Sequence, residues 1–197
     1  MLTTQTELTD LLRKLFEGLG YGVGEDDDCA RRVAWLAMRD VPILERLARE
    51  SEAFVPVKRV TILQERPAEI HLDGSSGNLM GIAVDLLRSG FERVVVDGCR
   101  VPETCVPYLA ECGGRAVWAI DGVRHEVGGG EWRLKSAETP LPLTLQSAEA
   151  FTFRGDIYQN NLENGLFVVD PIWQELYQLG RAILVPETDH SRRFGAG

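Results

Sequence analysis

Residues 69–97 read EIHLDGSSGNLMGIAVDLLRSGFERVVVD, and the fold class turns on how the pattern changes along them. Glu69 to Leu72 is a strand-like run, and Asp73-Gly74 marks a turn. Asn78 is placed to cap a helix from Leu79 to Ser89, which Gly90 closes. Arg93 to Asp97 then carries three valines in succession, the signature of a buried strand. Helix followed by such a strand predicts a sheet covered by helices, so the chain is read as α/β of the mixed α+β kind.

Upstream of this unit the pattern is helical. Leu8, Leu11, Leu12, Leu15 and Leu19 recur at helical spacing, and Thr4 with Glu7 fits a capping box. Gly18 and Gly20 end that helix. The acidic run Glu25 to Asp28 suits the positive end of a second helix, with Cys29, Val33, Leu36 and Ala37 as its buried stripe. Pro42 opens a third, carrying Ile43, Leu44 and Leu47 inward to about Ser51. Val57 to Leu63 then reads as the first strand of the sheet, separated by Pro67 from the next.

Downstream, a short helix spans Thr104 to Cys112 and stops at Gly113-Gly114, with Cys105 and Cys112 on one face. Ala116 to Ile120 and Val123 to Val127 form a hairpin about Asp121-Gly122, and Gly128 to Gly130 turns the chain toward Trp132 to Lys135. Leu141 to Leu145 and Phe151 to Arg154 read as strands, Tyr158 to Gly165 as an asparagine-rich loop, and Leu166 to Val169 as a strand. Asp170-Pro171 opens a last helix with Ile172, Leu176 and Leu179 inward; Gly180 stops it before a strand from Arg181 to Val185. One domain over 1–197 is expected: a helical subregion to 53, mixed sheet and helices over 54–187, and a polar tail at 188–197.

At 197 residues such a body buries roughly 70% of its unfolded surface and needs no metal or disulfide. Cys29, Cys99, Cys105 and Cys112 are therefore read as reduced thiols. The start MLTTQTELTD has neither a basic flank nor an apolar core, and no window is apolar enough to span a bilayer, so a cytoplasmic location without membrane partners is expected. A net charge of −9 argues against nucleic acid, yet leaves room for an anionic metabolite held by local arginines.

Three histidines occur, His71, His125 and His190, none at metal-ligand spacing, so no metal site is expected. His71, in a strand just before Asp73, is a candidate general base if it faces a cleft. His125 shares a face with Val123 and Val127, and packing explains it. His190 lies in the tail beside Ser191, Arg192 and Arg193. Cys99 follows a strand in Asp97-Gly98-Cys99-Arg100, where sheets of this type place ligand groups, and Arg100 beside it is in position to lower the thiol pKa. The turn Asp73-Gly74-Ser75-Ser76-Gly77-Asn78 leads into a helix start, and its N–H groups suit an anion. Candidate catalytic groups are thus His71, Asp73 and Cys99; candidate ligand-binding residues are Asp73, Gly74, Gly77, Asn78 and Arg100.

The helices of residues 4 to 51, the turn Asp73-Gly74 with Gly77, the helix Leu79 to Ser89 and the strand Val94 to Val96 together resemble the malate/L-lactate dehydrogenase family of NAD(P)-dependent oxidoreductases, which is distinct from the Rossmann-fold lactate dehydrogenases. The resemblance spans about half of the chain. It implies that the Asp-Gly turn lies near the cofactor and substrate pocket, that NAD(P) is a possible cofactor, and that a homodimer is possible. The family carries a Ser-His-Gly motif after its second helix, whose histidine moves the proton in hydride transfer. Here that region reads Arg39-Asp40-Val41-Pro42-Ile43-Leu44, and the family's second histidine has no counterpart near Arg100-Val101-Pro102. Over its whole length, including Gly18-Leu19-Gly20-Tyr21, Trp35-Leu36 and Val185-Pro186-Glu187-Thr188, the chain also resembles an uncharacterised bacterial family of about 200 residues.

The expectation is accordingly a protein that binds a small anionic metabolite on a shortened dehydrogenase-like scaffold, without family-type hydride transfer, in a pocket formed by the 73–78 turn and the 97–102 loop. Two alternatives stand beside it. One is an enzyme acting on a 2-oxo or 2-hydroxy acid, either an NAD(P)-dependent oxidoreductase or a cofactor-free lyase or isomerase. The other is a structural subunit of a homo-oligomer or complex.

Overall fold

The computed structural model of the chain describes residues 1–149, 151–152 and 155–181. Strand β1 (Leu2–Thr3) leads into helix α1 (Gln5–Leu19). Thr4 is extended, its hydroxyl accepts from the Glu7 N–H at 3.2 Å, and its own N–H donates to the Glu7 carboxylate at 2.9 Å. Two orphan donors of the first turn are thereby satisfied. Leu8, Leu11, Leu12, Leu15 and Phe16 are buried along one stripe, and Gly20 ends the helix at φ 95°. Helix α2 (Glu25–Ala37), acidic in its first turn, packs across α1 with Ala30, Val33, Ala34, Leu36 and Ala37 inward.

Asp40 sits at φ 61°, the left-handed region that a short polar side chain tolerates, and this reverses the chain between α2 and α3 (Ile43–Arg49). A 3-10 turn, Ser51–Phe54, buries Ala53 and Phe54. The sheet follows as β2 (Thr61–Arg66), β3 (Glu69–Asp73), α4 (Met80–Arg88) and β4 (Arg93–Asp97). A 3-10 turn Pro102–Cys105 precedes α5 (Val106–Cys112), and β5 (Arg115–Ile120), β6 (Val123–Gly128), β7 (Glu131–Ser136) and β8 (Leu141–Gln146) complete the sheet. Helix α6 (Asp156–Asn164), strand β9 (Leu166–Phe167) and helix α7 (Asp170–Arg181) return the chain to α1.

Strand order is β2-β3-β4-β8-β5-β6-β7, with β3 and β4 parallel across the α4 crossover and the other pairs antiparallel; β1 and β9 form a separate two-stranded sheet. Register decides which side chains face the helices. Leu72, Val94, Val96, Leu143, Leu145, Ala116, Trp118 and Val127 share one face and join the helical layer in one core. His71, Val95, Thr144, Val117, Glu126 and Arg133 alternate onto the opposite face.

The expected mixed architecture is present, with several local corrections. The first strand starts at Thr61, because pairing about the Pro67-Ala68 turn sets Arg66 against Glu69 and Thr61 against Asp73. That edge strand is exposed throughout, Ile62 and Leu63 included, so burial does not mark where it begins. Asn78 does not cap α4: its N–H donates to the Val55 carbonyl at 2.8 Å, and Leu79 holds the cap position without a side-chain bond. Tyr158 to Gly165 is not a loop. Through Asn164 it belongs to α6, with Gly165 as the C-cap; there Gln159 donates to Glu163 at 2.7 Å, Asn164 to Asn160 at 2.9 Å, and the Asn161 amide to the Met38 carbonyl at 3.1 Å.

Gly180 does not stop the last helix, which runs through Arg181; the glycine lies buried against Leu11 of α1. Of the strand expected from Arg181 to Val185, Arg181 is helical and the rest falls outside the described residues, as does the tail with His190. Phe151 and Thr152 are not in a strand, and residues 153–154 also fall outside. The strand expected over Leu166 to Val169 shortens to β9. Cys105 is buried while Cys112 is exposed, so the two do not share a buried face.

Candidate ligand-binding site

The corner between α2 and α3 points a guanidinium at the far half of the sheet. Arg39 lies with its guanidinium carbon 3.7 Å from the Trp35 ring centre and 3.8 Å from that of Tyr158, so both faces of the charge are covered by rings. One Nη donates to the Trp35 carbonyl at 3.1 Å, while the buried Nε has no partner. Burial pulls its pKa below the ordinary value; Tyr158 offsets part of this, and no carboxylate among the described residues does.

Arg46, on α3, pairs with Glu103 at 2.7 Å, with both side chains largely buried. The second Glu103 oxygen is buried without a partner. Burial raises the Glu103 pKa more than the Arg46 charge lowers it. From the sheet, His125 stacks on Trp118 with ring centres 4.8 Å apart and planes within 9°. Its Nδ1 lies 3.2 Å from Trp132 Nε1, an indole N–H that only donates, so the neutral imidazole carries its proton on Nε2. Burial first, and then the Arg46 charge, lower the His125 pKa. Arg39, Val41, Arg46, Glu103, His125 and Trp132 line a cavity of about 340 Å³.

A larger cavity of about 580 Å³ opens at the carboxyl end of β4 and is lined by Arg46, Glu50, Asp97, Cys99, Arg100 and Trp118 among others. This is the 97–102 loop singled out in the sequence, but its chemistry departs from the expectation. Arg100 is engaged by Glu52 at 2.8 Å and by Glu50 at 3.5 Å. Cys99 has its pKa pushed up to about 12 by burial, so Arg100 does not activate the thiol.

The 73–78 turn packs against this loop. A Cβ on Gly74 would lie 2.6 Å from Val96 Cγ1 and 3.3 Å from Cys99 Cα, and one on Gly77 would lie 2.6 Å from the Val55 carbonyl oxygen. The glycines are required by close backbone approach. Three of the turn's N–H groups are already engaged: Gly74 with the Asp97 carbonyl at 2.7 Å, Ser75 with the Asp73 carboxylate at 2.9 Å, and Asn78 with Val55. The Ser75 bonds hold the Asp73 pKa below its ordinary value. These N–H groups do not fit the phosphates of a dinucleotide, which need free donors.

His71 lies on the sheet face away from the helices, 2.9 Å from Glu69, and reaches Asp97 at 4.0 Å. His71, Asp73, Cys99 and Arg100 therefore do not converge on one hollow. Arg39, Arg46, Glu103 and Trp132 escaped the sequence reading because the α2–α3 corner, α3, the 102–105 turn and β7 supply them separately. The one pointer was the Arg39-Asp40-Val41-Pro42 segment, marked by the resemblance as the place of a missing histidine. Among the described residues no group of three or more His, Cys, Asp or Glu is arranged to hold a metal, and no helix is long and apolar enough to cross a membrane.

A family model described as a protein of unknown function (DUF3726) matches residues 4–81. No curated protein matches the chain. Among solved structures, a dehydrogenase from Sinorhizobium meliloti superposes with a TM-score of 0.61 at 11% identity, covering 91% of this chain and 99% of that one. An E. coli protein assigned as a malate/lactate dehydrogenase gives 0.56 at 9% identity, covering 95% and 96%. The sulfolactate dehydrogenase of Methanocaldococcus jannaschii gives 0.54 at 9% identity, covering 93% and 97%. The likeness is one of fold.

Proposed function

We propose that this protein binds a small anionic metabolite, a 2-oxo or 2-hydroxy acid, in the cleft between the α2–α3 corner and strands β6 and β7, without the hydride transfer of the dehydrogenases it resembles. One observation carries the reading. The Arg39 guanidinium is half-buried, stacked on both faces and unmatched by any carboxylate among the described residues. An unpaired charge in that setting costs free energy that a ligand carboxylate would offset. Arg46 lines the same cavity but is already paired with Glu103, so Arg39 is the cation left for the ligand there, and the Nε2–H of neutral His125 adds a neutral donor. Arg100 is given no part, since two glutamates already hold it.

The scaffold supports the substrate class only by likeness of fold. The absence of hydride transfer is supported by the engaged N–H groups of the 73–78 turn and by the sequence Arg39-Asp40-Val41 in place of the family's histidine motif. The test is isothermal titration of the full chain with a panel of 2-oxo and 2-hydroxy acids, in wild type and Arg39→Gln, beside a fluorescence titration with NADH and NADPH. Saturable heat with at least one acid, lost in the variant, is expected, with no nucleotide response. Silence across the whole panel refutes the reading.

A second reading is favoured by Glu103 and His125, which face the same cavity with proton affinities moved in opposite directions. Such a pair suits proton transfer at a carbon next to a carbonyl, the chemistry of a cofactor-free isomerase or lyase. Deuterium incorporation at that carbon of a bound 2-oxo acid, followed by NMR in D₂O, tests it. Exchange no faster than in buffer removes it.

A further inference from the structure

We infer that the acid held in this cleft carries an aromatic or branched apolar side chain, an inference that rests on the anion-binding reading proposed above. The cleft does not end at Arg39. On the other side of that residue lies a cavity of about 210 Å³ lined by Trp35, Val41, Trp132, Ile157 and Tyr158, with Arg39 as the charged group on its wall. Arg39, Val41 and Trp132 line both cavities, so the two hollows adjoin across them.

The two lobes differ in their polar groups. One presents Arg46, Glu103 and His125 beside Pro42, Ile43 and Leu134; the other, apart from Arg39, presents rings and aliphatic carbon. Arg39 stands at the boundary. Its faces are covered by Trp35 and Tyr158, its Nε is buried and Nη1 donates to the Trp35 carbonyl, which leaves the remaining Nη N–H groups as the donors toward a carboxylate. Trp132 is fixed at the same boundary by its bond to His125.

The apolar lobe is also a built feature. Helix α6 supplies Ile157 and Tyr158 and is tied to the end of α2 by Asn161 on the Met38 carbonyl. Ile157 nevertheless stays 53% exposed. A side chain seated against Ile157 and Trp132 would remove that apolar surface from water, whereas an acid with only a methyl group would leave the lobe solvated. The geometry thus points to a ligand with its carboxylate on the Arg39 edge and its apolar substituent under α6.

The probes are pyruvate and phenylpyruvate, titrated calorimetrically into wild type, Ile157→Asp, Ile157→Ser and Arg39→Gln, with each variant checked for fold by circular dichroism. Phenylpyruvate is expected to bind about tenfold tighter than pyruvate or more. Both Ile157 substitutions, at an exposed position, should bring that ratio toward one. Equal affinities in wild type, both lost in Arg39→Gln, overturn this inference and leave the anion site standing. An advantage untouched by either Ile157 variant places the ring elsewhere and also overturns it. Binding of neither acid removes the anion site, and this inference with it.

Discussion

Gly74→Ala should destabilise the protein by overpacking, and the partner responsible can be named. The added Cβ would meet Val96 Cγ1 at 2.6 Å, the Asp97 carbonyl at 3.2 Å and Cys99 Cα at 3.3 Å. Val96 is fully buried in β4, pinned between Leu72 and Leu143. The backbone at Gly74 is not in the left-handed region, so the cost is steric. Overpacking of this kind costs about 1–3 kcal/mol, and each kcal/mol lowers Tm by about 2–4 °C in a chain of this length. Val96→Ala alone removes two buried carbons and costs about 2 kcal/mol, yet it vacates the space that the new methyl needs. Urea unfolding of both single variants and the double variant closes a mutant cycle. The double variant should be more stable than additivity predicts by about 1 kcal/mol or more. Strict additivity, or a neutral Gly74→Ala, would refute the claim that this turn is shaped by close packing.

Further outcomes follow from other particular contacts. Thr4→Ala removes the hydroxyl that receives the Glu7 N–H and should cost about 1 kcal/mol, measured by the urea midpoint. Ellman titration of the native protein at pH 8 should find Cys112 reacting first, because burial holds Cys29 up at about 11, Cys99 at about 12 and Cys105 well above its ordinary value, while Cys112 is exposed; rapid reaction of Cys99 would contradict this. His125 has a folded pKa below its ordinary 6.5, so the unfolded chain binds the extra proton. Its contribution to stability is complete above pH 6.5 and declines as pH falls below it. The difference in urea midpoint between pH 7.5 and pH 5 should therefore shrink in His125→Gln, and an unchanged difference would count against the buried neutral imidazole.

What was legible in the sequence was local. Thr4 and Glu7 cap α1 within four residues of each other, and Asp121-Gly122 and Gly129-Gly130 adopt the positive φ that two-residue hairpin turns demand, so α1 and the β5–β6–β7 meander could be read directly. The buried valines of β4 likewise announced themselves. Strand β2 was legible only in part, in the run Val57 to Leu63, because an edge strand with no buried residue does not mark its own ends, and its bounds come from pairing with β3. Helix α6 was hidden by its asparagines, whose bonds to side chains one turn on and to the end of α2 exist only after folding.

The site was the least legible part. The 97–102 loop does border a cavity at a strand end, but Arg100 is taken up by Glu50 and Glu52, which follow α3 and are invisible at that distance in sequence. His125 was rightly read as packed, since it stacks on Trp118, yet its other edge faces the cleft. Arg39 became informative only when Tyr158, more than a hundred residues away, closed over it and no acid came with it.

The most direct test of where the ligand sits is a crystal structure of the chain soaked with phenylpyruvate. The carboxylate is predicted within about 3 Å of the Arg39 guanidinium edge, with the ring beneath α6. An acid seated instead in the hollow of the 97–102 loop, with Arg39 untouched, would contradict the account.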